Sequence, residues 1–186
     1  ALARIGGGSD AVLTERIATT LQGCLRSRTQ EISETAALSL GLLGGGTARD
    51  VLVQLASDDR KGRKLVGRGS VPDRTQAFAC FGLGLVAHES GDVGERQRIA
   101  LELARILEDG GSTSSLPVAA TIAFGLCRLP DRPVVPDSAL RSDPLVDVIF
   151  SSSGQVIWLV RRLEREGRRG KKSSAVERAH GMSALA

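Results

Sequence analysis

The chain has 186 residues, 41% hydrophobic and 25% charged, with a formal net charge of +4. That is a folded composition with room for one ordinary core. Its apolar runs are too short and too interrupted by Gly and charge to cross a bilayer, so membrane insertion is not expected. Aromatics are only 3%, with no Tyr and one Trp, so the core must be aliphatic.

In chain order, glycine-rich breaks separate segments of helical period. After Gly6 to Gly8, the stretch Thr14 to Arg26 carries Ile17, Leu21 and Leu25 on one face. The run AALSLGLLG (Ala36 to Gly44) leads through Gly44 to Gly46 into Ala48 to Ser57, with Val51, Leu52 and Leu55 at helical spacing. Asp58 and Asp59 suit a capping role at the start of the next segment. ACFGLGLVA (Ala79 to Ala87) passes through Gly91 to Gly94 into a helix predicted to Glu108, with Ile99, Leu103, Ile106 and Leu107. ATIAFGLCR (Ala120 to Arg128) follows. Val156 to Leu163 reads as a further helix with Val156, Ile157, Val160 and Leu163 as its stripe. Each stripe has charge opposite, and no segment alternates as a strand would. Pro144 to Phe150 is read as a short helix or connector.

The three small-residue runs are copies of one another. Aligned on Gly41, Gly84 and Gly125, they repeat at 43 and 41 residues, the length of a two-helix unit. Fragments at the ends fit the same register, with Ala3 and Ala186 in the glycine column. The preceding column is always large: Leu2, Leu40, Leu83, Phe124 and Leu185. The column before that is small: Ala1, Ser39, Gly82, Ala123 and Ala184. Five positions upstream of the register stand Ala36, Ala79, Ala120 and Gly181. Gly inside a helix costs about 1 kcal/mol relative to Ala. Its recurrence at one position implies a steric demand, the close approach of a neighbouring helix.

This pattern, clearest in Ile32 to Asp59 and looser in Thr75 to Asp109 and Leu116 to Arg128, resembles the HEAT-repeat family. FGLGL (Phe81 to Leu85) also looks somewhat like the related proteasome/cyclosome repeats. Two departures stand out. The usual basic residue near the start of the first helix is Ser33 in one copy and Gln76 in another, and two connections are overlong, Arg60 to Arg74 and Pro130 to Ser174. The resemblance implies an all-α fold, a right-handed α-solenoid of about four to five HEAT-like helical hairpins, whose concave face, lined by second helices, binds another macromolecule. Residues 1–186 are expected to form a single HEAT-like repeat domain, a segment of a longer repeat protein, with an irregular insertion at about 130–174.

Candidate chemistry is sparse. The overlong connections hold the positive charge: Arg60, Lys61, Arg63, Lys64 and Arg68 in the first, and Arg161, Arg162, Arg165, Arg168, Arg169, Lys171 and Lys172 in the second. Such clusters attract phosphate backbones, although a solvated mobile loop explains them as well. No aromatic interleaves them, so base stacking is not available. Gly62 to Ser70 nearly matches a P-loop, but Arg68 and Gly69 stand where Lys and Ser or Thr are required. His88-Glu89 is a lone pair, whereas the HEAT-like iron hydroxylases surround their metal with several. HEAT-like DNA glycosylases need aromatic and acidic residues that this chain scarcely supplies, and Trp158 reads as packing or an interface anchor rather than a stacking platform. Cys24, Cys80 and Cys127 read as small buried residues in a reducing, cytoplasmic setting. The expected function is a non-catalytic scaffold or adaptor for a protein partner, with no cofactor. The alternatives are non-specific nucleic-acid or other polyanion binding through the basic loops and, third, a HEAT-like enzyme.

Overall fold

A computed structural model describes residues 11–109, 115–130, 145, 154 and 156–162. Every regular element among the described residues is a helix. In order they are α1 (Ala11–Cys24), α2 (Gln30–Leu43), α3 (Gly46–Ala56), α4 (Arg60–Val66), α5 (Asp73–Glu89), α6 (Val93–Asp109) and α7 (Ser115–Leu126). A further helical piece covers residues 156–162.

Local chemistry sets the helix ends. Gly44 and Gly45 adopt φ of 74° and 85°, which side-chain-bearing residues rarely do. They stop α2, and Gly44 N–H donates to Leu40 O at 3.1 Å. Pro72 and Asp73 open α5. Its missing N–H makes Pro harmless at a helix start. At the head of α6, Asp92 Oδ1 accepts from Gly94 N–H at 2.8 Å, satisfying one of the orphan donors.

The packing follows the glycine register. α5 lies between α2 and α7 and touches both, while α3 and α6 each wedge against their own first helix and the next one. A methyl group added at Gly41 would run into the Gly82 backbone, 2.6 Å from its oxygen and nearer still to its Cα. One added at Gly84 would lie 2.8 Å from Ala123 Cα. The two contacts are equivalent: the register residue of one copy meets the residue two before the register in the next. The large column sits in the layer between, with Leu40, Leu83 and Phe124 fully buried. Each such side chain contributes about 1.5–3 kcal/mol by leaving water. Ala36, Ala79 and Ala120 are also buried, as their column predicts.

The predicted apolar stripes of α1, α3 and α6 are the buried faces, from Ile17 and Leu21 through Leu52 and Leu55 to Ile99 and Leu103. The two departures from the basic consensus are buried polar residues with partners. Ser33 Oγ lies 3.4 Å from Thr75 Oγ1, and Gln76 Nε2 donates to Val71 O at 2.8 Å. The α2–α5 contact also carries a charge pair, Arg74 Nη2 to Glu34 Oε2 at 3.0 Å.

Two expectations are corrected. Arg60 to Ser70 is not a loop throughout, because α4 occupies most of it. Asp59 caps α4, its Oδ1 accepting from Gly62 N–H at 2.6 Å, and Gly67 ends it in the left-handed conformation. The stripe expected for residues 156–163 is also wrong. Val156, Ile157 and Val160 are exposed, and the buried face is Trp158, Leu159 and Arg162. VIWLV is apolar on every side, so its period does not choose a face. The choice falls to Trp158, whose ring lies 5.3 Å from that of Phe124, and to Arg162, whose guanidinium donates to Leu107 O at 2.9 Å. Pro144 to Phe150, apart from Leu145, and the end fragments around Ala3 and Ala186 lie outside the described residues.

Candidate functional site

Two surfaces collect charged side chains from several elements. The first is a groove of about 390 Å³ between α3, α4 and α6, lined by Arg49, Asp50, Val53, Gln54, Lys61, Arg98, Ile99 and Glu102. Its charges are interleaved and partly paired. Arg49 Nη2 lies 2.7 Å from Asp50 Oδ1 and Arg49 Nη1 lies 3.8 Å from Glu95 Oε1. Val53 and Ile99 supply apolar floor. The surface therefore has both the polar rim and the apolar centre that protein interfaces use.

The second surface is an open depression lined by Arg26, Arg60, Arg63, Lys64, Gly67, Arg68 and Gly69. The capped helix α4 presents Arg60, Arg63 and Lys64 on its exposed side. Its inner side is fixed by Val66, buried in the core, and by Gly62, whose Cα rests so close to Gln54 O that an added Cβ would collide with it. Gly62 is thus a packing residue, and the P-loop-like spacing encloses no phosphate cradle. Asp58 anchors the segment from the other side, accepting from Val71 N–H at 2.6 Å and from Arg63 Nη2 at 2.8 Å. Burial opposes ionisation of Asp58, but the Arg63 guanidinium and the Val71 N–H outweigh it and hold its carboxyl below the usual range. The same bond raises the Arg63 guanidinium above its ordinary value. Arg68 Nη2 donates to Ser27 O at 3.2 Å. That bond ties the α4 segment to the turn after α1, which brings in Arg26.

The sequence-predicted cations are therefore divided. Arg60, Arg63, Lys64 and Arg68 come together, while Lys61 faces the groove. Arg161 is exposed. Arg162 is corrected: it is buried against Leu107 O and is not part of an exposed patch. Arg165, Arg168, Arg169, Lys171 and Lys172 lie outside the described residues. Arg26 was missed because only the fold places it beside α4. Nothing local in LRSR (Leu25 to Arg28) marks it.

The remaining reactive groups are dispersed. His88 and Glu89 end α5, with His88 Nε2 4.0 Å from Glu89 Oε1. Among the described residues no three His, Cys, Asp or Glu side chains converge as metal ligands. All three cysteines are free thiols. Burial pushes Cys80 up to about 12, and Cys127 is raised further for the same reason, so neither forms the thiolate that nucleophilic or redox chemistry needs. No described helix is long and apolar enough to cross a membrane. Compared with protein families, with curated proteins and with solved structures, the chain finds no match in any of the three.

Proposed function

We propose that the chain is a segment of a HEAT-like right-handed α-solenoid and serves as a non-catalytic scaffold that binds another protein. One observation carries this reading: Gly41 meets Gly82 as Gly84 meets Ala123, so successive helix pairs join by the same contact. A structure that grows by one repeated contact presents a broad, rigid surface. The groove between the second helices α3 and α6, with its apolar floor and interleaved charges, is the docking place on that surface. The reading is tested by affinity capture of the intact protein from its native cells with Asp50→Lys combined with Glu102→Lys. A partner held by the parent protein and by an Arg16→Glu control, and lost with the groove variant, supports it. Identical captures with all three contradict it.

A further inference from the structure

We infer that the depression formed by Arg26, Arg60, Arg63, Lys64 and Arg68 binds the phosphodiester backbone of a nucleic acid without reading its sequence. The inference goes beyond the scaffold reading and rests on different residues from the α3/α6 groove.

Four observations point the same way. The cations come from two parts of the chain, and a tertiary bond from Arg68 to Ser27 O holds them together. Leu25 is buried beside Arg26, and Gly62 locks α4 to α3, so the patch stands on packed elements. The nearby carboxylates are already engaged inside the chain, Asp58 with Arg63 and Val71 and Asp59 with Gly62. Asp58 offsets the charge of Arg63, but no carboxylate lines the depression, so Arg26, Arg60, Lys64 and Arg68 keep it net positive.

The lining also decides the class of ligand. It contains no apolar or aromatic side chain. Protein partners are held by an apolar centre, which this surface lacks, whereas nucleic-acid interfaces are polar and strongly positive. Four of the five cations are arginines; the fork of Arg63 is taken by Asp58, while Arg26 and Arg60 carry forked donors that match phosphate oxygens two at a time. The glycines contribute room. A Cβ at Gly67 or Gly69 would meet nothing within 4 Å, so the backbone there is open to a phosphate. Without an aromatic there is nothing to stack on a base, and contacts to phosphate alone carry no sequence information.

The test is fluorescence anisotropy of a short labelled RNA of mixed sequence, titrated with the whole chain at several salt concentrations. Two double variants remove the same charge. Arg26→Glu with Lys64→Glu strikes the depression, and Arg16→Glu with Arg161→Glu strikes exposed cations outside it. Arg63 and Arg68 are left intact because they hold the fold of the patch. At low salt the first variant is expected to bind about tenfold or more weakly, and the second within about threefold of the parent. The salt slope of the first variant is expected to fall by about 1.4, at roughly 0.7 for each of two lost contacts to a single strand. A DNA of scrambled sequence should compete as well as the RNA. No binding at low salt overturns the inference. So does an equal loss in both variants, which would mean net charge alone. Displacement by polyglutamate as effective as by unlabelled RNA also overturns it, because the site would then take acidic polypeptide.

Discussion

Replacing Gly41 with Ala sets two well-defined effects against each other. Intrinsic helix propensity favours the variant by about 1 kcal/mol. Against it, the new Cβ would stand 2.6 Å from Gly82 O and 2.8 Å from the Gly82 carbonyl carbon. Ordinary carbon contacts begin at about 3.5 Å, so α2 and α5 must part by about 1 Å at their tightest point. Both partners are backbone, and no rotamer can relieve the contact. Overpacking costs about 1–3 kcal/mol, and a contact between two backbones belongs at the upper end of that range. The net loss is about 1–2 kcal/mol, a fall in Tm of about 2–8 °C at 2–4 °C per kcal/mol. Thermal and urea unfolding followed by far-ultraviolet circular dichroism reads it. Gly23→Ala is the companion measurement, since Gly23 lies in α1 with nothing within 4 Å of the added atom. It should be stabilising, by up to about 1 kcal/mol. A Gly41→Ala protein as stable as the parent, or more stable, would refute the steric reasoning.

Gly62→Ala should detach α4 from Gln54, costing about 1–3 kcal/mol, and should weaken RNA binding along with stability. Asp58→Asn keeps a residue that tolerates the left-handed conformation seen there, φ 49°, and removes the charge. Because the folded carboxyl titrates below its unfolded value, its stabilisation is complete above the ordinary carboxylate range and disappears as pH falls through the lowered folded value. The variant should therefore be less stable than the parent at neutral pH and equal to it in strong acid, as read by urea unfolding across pH. A gap that persists in acid would contradict this. In thiol labelling of the native protein, half-buried Cys24 should react, and Cys80 and Cys127 should react only on unfolding. Fast native labelling of three thiols would contradict the burial.

The glycine register was legible because it couples two columns. Tiny residues at Gly41 and Gly84 mean little alone, but Leu40 and Leu83 remain large beside them, and only a helix-on-helix contact asks for both. The capping of α4 was half legible. Asp59 was readable as a cap, and Gly67 stands where a helix-ending glycine belongs. The seven residues between them, rich in Arg and Lys, show too little apolar period to announce a helix, so the segment reads as a loop. Lys61 lies one helical turn from Lys64, so its facing the groove is settled by how α4 packs on α3 and not by the helical period alone. Arg26 and Arg162 were not legible in kind. One gains its neighbours and the other loses its exposure through contacts 34 and 55 residues away in the chain, and no local pattern records such contacts.

Nuclear Overhauser effects in the isotopically labelled chain reach the central steric claim directly. Cross-peaks are expected between the α-protons of Gly41 and those of Gly82, and between the α-protons of Gly84 and the α-proton and methyl of Ala123. A folded, helical chain in which both sets are missing, or in which Gly41 and Gly84 report different surroundings, would contradict the repeat contact and the scaffold built on it.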